Sequence, residues 1–396
     1  MNAVSQNKQT LLVALLTLVA MGLLAVTFYM PIWWVSLTAP NYPEESFPDG
    51  VRIHFHLNGV FNGCQKVEST EIREDIALDC VHEMDTINHY VGMYPIAAGG
   101  PVERSLGQFL MAFLGVMLVG FVLTNPKLRM SVMALGFAGI AVWMYLTLYG
   151  GDGFNLQNKG YVEALVTALD QEASGESGES GEIVIGGIVG ALRKSLADSG
   201  VEVELPTEKE KREAASRTSE KAHLIEQIRT NYERDREAGL VNEPWDGSSY
   251  QVMSWHYAKS LGRYFNNPAE IAPMVKTLRL AVHVAFWGLL GAMLLLLFGA
   301  RKNSGILYWL LVLVPLALPL FFVIDYSAWL WWYGHTLNDM GAFSVKPFMP
   351  TVVGQGKVAQ FSTHSYPYTG FGVMMLASLV LAIAALVRRK QFSGET

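Results

Sequence analysis

The sequence has little charge and none of the short motifs that mark common enzymes. Charged residues make up 16% of the chain and hydrophobic residues 51%, which is far from the composition of a soluble domain. It contains no G-x-S-x-G, no H-E-x-x-H, no phosphate-binding loop and no dinucleotide fingerprint. We therefore expect a membrane protein with an accessory role and no catalysis of its own.

Cysteine is almost absent. The chain has two, Cys64 and Cys80, and no C-x-x-C or C-x-x-C-H motif, so nothing indicates covalently attached haem or a dithiol redox centre. In an oxidising compartment we expect the two to pair, and closing this loop would add roughly 3 kcal/mol of stability. Two free thiols that act as copper ligands are the alternative.

Long apolar runs are abundant. A bilayer crossing needs about 20 such residues, and six runs are long enough: Leu11–Met30, Leu106–Thr124, Met130–Tyr149, Leu280–Phe298, Ile306–Ile324 and Phe371–Val387. The first is followed by Met30-Pro31-Ile32-Trp33-Trp34, which is typical of an aromatic interface anchor and not of a signal-peptide cleavage site. We therefore interpret all six as membrane helices.

Basic residues orient these helices. Lys8 and the segments 125–129, 300–303 and 388–390 carry positive charge without neighbouring acids, which predicts that they and both termini are cytoplasmic. The expected location is a bacterial inner membrane, with long loops in the periplasm. The predicted organisation is a first helix (1–30), an outer loop (31–105), a helical hairpin (106–150), an outer charged segment (151–279), a second hairpin (280–324), an outer loop rich in proline and glycine (325–370), and a last helix with its tail (371–396).

The predicted fold class is an all-α integral membrane protein with about six transmembrane helices and three extracytoplasmic loops, the first with some β character. Val51–Leu57 alternates apolar and polar residues, as a strand does, and this places His54 and His56 on one face. The last loop predicts ordered irregular structure. In the middle segment we expect a flexible linker at Glu172–Glu182, a packed helix at Ile183–Leu196 and a solvated, partner-docking helix within Pro206–Gly239.

The stretch Asp79–Pro95 contains the densest set of possible metal ligands. If it is helical, His89 and Met93 lie four residues apart on one face, and an imidazole beside a thioether suits Cu(I). The supporting ligands would be His82, Met84, His54, His56 and His335. The alternative is that these residues cap and pack a helix at the membrane surface.

Three segments, Tyr42-Pro43 with its following strand, Asp85–Pro95 and Tyr333–Asn338, resemble a family of bacterial multi-span membrane proteins. Its members are encoded near nitrous oxide reductase and copper-trafficking genes. The resemblance covers the first loop, the last loop and the spans, but not 155–276 or the insertion between the cysteines. It implies copper handling or support of a periplasmic redox enzyme, with His89 and Met93 as carried-over ligands and His335 behind them.

Two other functions remain open. A haem- or quinol-linked electron-transfer subunit needs intramembrane histidine, and only His283 lies clearly within a span, so His283 is the candidate cofactor ligand. A transporter, or a non-catalytic subunit of a membrane complex, is suggested by Pro315 and Pro319, which interrupt the fifth span. The lipid bilayer is a certain partner in every case, and no nucleic acid is expected.

Overall fold

A computed structural model describes residues 3–64, 79–176, 220–302, 305–343, 345–358 and 360–393. These ranges are mostly helical and contain one small sheet. The helices are α1 Ala3–Tyr29, α2 Cys80–Tyr90, α3 Pro101–Val122, α4 Pro126–Tyr149, α5 Lys159–Glu176, α6 Glu220–Glu237, α7 Ser249–Gly262, α8 Pro268–Gly299, α9 Ile306–Leu316, α10 Leu318–His335 and α11 Thr369–Ser393. The strands are β1 Trp33–Thr38, β2 Val51–His56, β3 Gly59–Asn62, β4 Gly354–Val358 and β5 Phe361–Pro367.

Five of these helices, α1, α3, α4, α8 and α11, are long and apolar enough to cross a membrane. The pair α9 and α10 adds a sixth span if the two are counted as one. Many of their leucines are exposed on the outside of the bundle, as contact with lipid requires. The chain is thus a multi-pass membrane protein, as the sequence predicted.

The fourth and fifth spans differ in detail from the prediction. Helix α8 begins at Pro268, twelve residues before Leu280, because Asn267 caps it by accepting a hydrogen bond from the Ala269 amide at 3.1 Å. The fifth span is broken: α9 and α10 meet at Ala317 with a bend of 63°. Pro315 and Pro319 flank the bend, where proline removes an amide donor and crowds the preceding turn.

The mostly helical fold class is confirmed, and the β character that was predicted for the first loop is part of a larger sheet that also includes the last loop. The strand order of this sheet is β3-β2-β1-β5-β4, and every pairing is antiparallel. The strand predicted at Val51–Leu57 is confirmed as β2. The predicted interface anchor at Trp33-Trp34 is instead the start of β1, the central strand, and the last loop supplies β4 and β5. First and last loops therefore form one body, which we call the sheet domain (33–64, 79–100 and 336–367 as far as described).

Helices α1 and α11 pack side by side and lead into neighbouring strands β1 and β5. At their other ends the Gln391 side-chain amide donates to Thr10 Oγ1 at 2.9 Å. The sheet domain therefore lies at one end of this pair and both termini lie at the other. A disulfide between Cys64 and Cys80, with Cα atoms 6.0 Å apart, ties the end of β3 to the start of α2, as predicted.

Several predicted features lie partly or wholly outside the described residues. These are the insertion at 65–78, the helix at Ile183–Leu196 and the segment before Glu220 of the charged helix. The described part of that helix is α6. Helix α5 continues to Glu176, so the first five residues of the predicted linker at Glu172–Glu182 are helical.

Two arginines are fully buried at the end of the helix bundle where the two chain termini lie. Arg129 donates to the Ala300 carbonyl at 2.7 and 2.9 Å, and Arg388 donates to the Val122 carbonyl at 2.7 Å. The Ala300 carbonyl is at the C-cap of α8 and the Val122 carbonyl is at the last residue of α3, and helix C-termini carry partial negative charge. Both residues had been interpreted as topology signals alone, and both also hold helix ends together.

Candidate functional site: a cavity lined by thioethers

Helix α2 is defined by a cap at each end. Asp79 accepts hydrogen bonds from the Val81 and His82 amides at 3.1 Å. At the other end Gly92 has φ +86°, the Met93 amide donates to the Asn88 carbonyl, and the Gly92 amide donates to the His89 carbonyl. This pair of bonds is a Schellman motif. Met93 therefore lies past the helix, and the helical spacing assumed for His89 and Met93 does not apply.

His89 packs among aromatic side chains. Its ring is stacked on Tyr264, with centroids 5.0 Å apart, and lies 4.8 Å from Phe265. Burial lowers its pKa, and Nδ1 is buried without a hydrogen-bond partner among the described residues. Met93 lines a cavity that His89 does not reach, so the structure does not bring these two candidates together.

His82 already has a hydrogen-bond partner. The Arg263 guanidinium donates to its Nδ1 at 2.6 Å, so the imidazole is a neutral acceptor there. Burial and the charge of Arg263 both lower its pKa. A metal ion at this nitrogen would have to displace a cation and then remain beside it, which makes His82 a poor ligand.

His54 and His56 share a face of β2 but have separate neighbours. The His54 ring stacks on Tyr368 at 5.1 Å, and the His56 ring meets Phe61 edge to face at 4.8 Å. Burial lowers the pKa of His56 to about 4 and also lowers that of His54. Both imidazoles are neutral at pH 7, and each packs against an aromatic ring.

The two remaining candidate histidines, His335 and His283, lie on spans. His335, at the end of α10, stacks on Trp331 at 4.5 Å and donates through Nδ1 to the Trp331 carbonyl at 2.8 Å. His283, in α8, shares a hydrogen bond of 2.8 Å with the Tyr149 hydroxyl, and the two rings are stacked. Within the described ranges no three His, Cys, Asp or Glu side chains are arranged to hold a metal ion.

The methionines are brought together instead. Met84 and Met93 line one cavity of about 470 Å³ between the sheet, α2, α10 and the last loop. A third thioether, Met349, lines the same cavity from the last loop. Met84 and Met93 are 1% and 5% exposed, whereas Met349 is 47% exposed, which places Met349 nearer to solvent.

The other walls of this cavity are mostly apolar, and their polar members are Asn88, Thr351, Lys357 and Thr363. These walls are Val35, Leu37, Ile87, Asn88, Val91, Ile96, Tyr326, Leu330, Val345, Phe348, Pro350, Thr351, Gly356, Lys357, Val358, Phe361 and Thr363. Lys357 is the one ionisable group among them apart from the Tyr326 phenol. A soft cation or an apolar molecule suits such walls, whereas a hard, hydrated ion does not.

Hydrogen bonds hold the last loop against α2 and thereby close the cavity. The Asn338 amide donates to the Gly92 carbonyl at 2.8 Å, and the Phe343 amide donates to the Tyr90 carbonyl at 2.8 Å. Glu270, at the start of α8, accepts from the Asn338 side chain at 2.7 Å and from the Tyr94 hydroxyl at 2.9 Å. The three long connections between the predicted spans supply Tyr94, Glu270 and Asn338 respectively. They are therefore joined at the Glu270 carboxylate.

Comparison of the chain with protein-family models, with curated proteins and with solved structures gave no match. The function therefore has to be argued from the site itself. Met349 was not among the ligands predicted from the sequence, since nothing local indicates that the last loop folds back on α2. The glycine that ends α2 was visible in the sequence, and a helix followed by Val-Gly predicts such an end.

Proposed function

We propose that this protein is an accessory protein of a bacterial inner membrane that holds Cu(I) in the thioether cavity on its periplasmic side and supports a periplasmic redox enzyme. The observation that carries the proposal is the convergence of Met84, Met93 and Met349 on one apolar cavity. Thioether sulfur is a soft ligand that favours Cu(I) over Mg²⁺, Ca²⁺ or Mn²⁺. The family resemblance of the loop segments agrees with this role.

The donor set fits copper in this cavity better than the histidine-centred set does. The imidazoles of His54, His56, His82, His89 and His335 all have aromatic or hydrogen-bonding neighbours, whereas Met84, Met93 and Met349 line one shared cavity. The residues would hold the ion, exclude water and leave Met349 at the more open side for transfer. Copper would supply a redox-active cargo for a partner enzyme.

The ligand type also predicts a pH response. A site that depends on imidazole loses metal below about pH 6, because the ligand must be deprotonated. Thioethers do not titrate in this range. Copper affinity should therefore be the same at pH 5.5 and pH 7.5 if the methionines are the ligands.

The test is Cu(I) titration of the purified protein against a competing chelator. The triple variant Met84→Leu/Met93→Leu/Met349→Leu keeps side-chain volume and should lose high-affinity binding. Met340→Leu is the matched control, because Met340 lies on the same loop, is exposed and does not line the cavity. Copper binding that survives the triple variant would overturn the proposal.

A second candidate function is electron transfer through a membrane cofactor, and His283 is the observation that favours it. The His283 imidazole lines an apolar groove of about 510 Å³ with Tyr149, Phe286 and Trp287, and a histidine in a span is a functional candidate by default. Haem or quinone in the purified protein that is lost in His283→Ala would support this function. Tyr250→Phe, beside the same ring, is the control.

A further inference from the structure

A second cavity lies on the other side of the wall that Ile96, Tyr326 and Leu330 contribute to the thioether cavity. Its volume is about 110 Å³, well below the size of pockets that enclose whole drug-sized molecules. The strand β2, the turn into β3, the start of α3 and the face of α10 enclose it. Two of these elements, α3 and α10, belong to spans.

Arg104 lines this cavity and is 8% exposed. Its guanidinium makes one hydrogen bond to the described residues, from Nε to the Gly100 carbonyl at 3.3 Å, and no ion pair among them. The buried Arg129 and Arg388 differ, because their Nη groups donate to main-chain carbonyls. The Nη groups of Arg104 have no acceptor among the described residues and line the cavity, so a bound group there can accept their hydrogen bonds.

The same cavity also presents negative charge. Glu103 accepts a hydrogen bond from Trp329 Nε1 at 3.3 Å, and Asp325 lies one turn before Trp329 on α10. The Asp325 carboxylate makes no hydrogen bond to the described part of the chain. A cavity with one buried cation and two carboxylates is poorly suited to a simple anion or to a metal cation, since each would meet like charge.

We propose that this cavity binds the zwitterionic phosphate-and-amine headgroup of a phosphatidylethanolamine lipid. The phosphate lies against Arg104, where a planar guanidinium forms paired hydrogen bonds. The ammonium lies between Glu103 and Asp325, with the Trp329 ring available for a cation–π contact. The volume admits a headgroup and excludes acyl chains, which lie along α3 and α10 in the bilayer.

This inference does not depend on the copper proposal. The test is native mass spectrometry of the detergent-solubilised protein with equimolar phosphatidylethanolamine, phosphatidylcholine and phosphatidylglycerol. We expect phosphatidylethanolamine to be retained best. Arg104→Gln should reduce its retention about tenfold, as loss of a charge-assisted contact predicts, whereas Arg301→Gln, at an exposed arginine, should not.

A second variant keeps the test decisive if Arg104→Gln does not fold. Glu103→Gln/Asp325→Asn changes two exposed side chains and should reverse the preference from phosphatidylethanolamine to the anionic phosphatidylglycerol. Soluble glycerophosphoethanolamine at millimolar concentration distinguishes the source of the headgroup. Displacement of the lipid by it would assign the site to a soluble molecule, and an unchanged lipid preference in the double variant would overturn the inference.

Discussion

The two cavities share a wall and differ in almost everything else. On the side of α2 and the last loop, the lining is mostly apolar, with three thioethers, one lysine and a few uncharged polar side chains. On the side of α3, the lining carries Glu103, Arg104, Asp325 and His56. The difference follows from the elements that supply each lining: loops packed on a sheet on one side, and polar span ends on the other. The two linings, a few side chains apart, therefore suit different classes of ligand.

The largest expected effect comes from removing the wall. Leu330 is buried and borders both cavities, so Leu330→Ala should destabilise the protein by about 2–5 kcal/mol. Thermal unfolding in detergent measures this. Leu240→Ala, at a residue 76% exposed, is the control. An equal melting temperature for the two variants would show that the wall does not support the fold.

Removing the disulfide should affect the two sides unequally. Cys80 begins α2, which carries Met84, whereas neither cysteine lines the Arg104 cavity. Cys64→Ser/Cys80→Ser should cost roughly 3 kcal/mol by loop-closure entropy. Hydrogen exchange should rise in α2 and not in α3. Reduction of the parent protein should give the same pattern, and a uniform rise would contradict the asymmetry.

The smallest expected effect is a pH dependence from Asp85. This side chain is buried, accepts a hydrogen bond from the Ile96 amide at 2.6 Å, and has its pKa raised by burial to about 7. The folded state therefore keeps a proton that the unfolded state releases near pH 4. Stability from this group is present below that pH and declines as pH rises to about 7.

Asp85→Asn keeps an acceptor for the Ile96 amide and removes the titration. The variant should gain melting temperature relative to the parent as pH is raised from 5 to 8. Arg263, which donates to His82, also lies near this carboxyl. The control is Glu83→Gln, which removes a neighbouring acid that is only half-buried. A difference between Asp85→Asn and the parent that is constant with pH would contradict the assignment.

The sequence predicted those features that depend on local pattern. The spans, the strand at β2 and the disulfide follow from apolar length, alternation and cysteine number. The pairing of β1 with β5 does not, because Trp33 and Pro367 are brought together only by the packing of α1 against α11. His89 and Met93 were predicted to share one helix face, because Gly92 was not recognised as the residue that ends the helix.

The same limit applies to the candidate sites, because a local sequence pattern does not show which distant segments come into contact. Met84 and Met93 were identified from a local cluster, but Met349 and Arg104 gain meaning only through contacts between distant segments. Arg104 looked like an ordinary charge at the start of a span. Its exceptional feature is that its Nη groups have no main-chain carbonyl acceptor among the described residues, whereas those of Arg129 and Arg388 do, and this can be seen only in three dimensions.

In the proposed copper site the ligands are thioethers and not imidazoles. X-ray absorption at the copper edge of the Cu(I)-loaded protein tests it most directly, because sulfur and imidazole nitrogen give distinct scattering. The account predicts a ligand shell of sulfur alone, which is lost in Met84→Leu/Met93→Leu/Met349→Leu and kept in Met340→Leu. Imidazole scattering that disappears in His89→Ala would contradict it and return the site to the histidines.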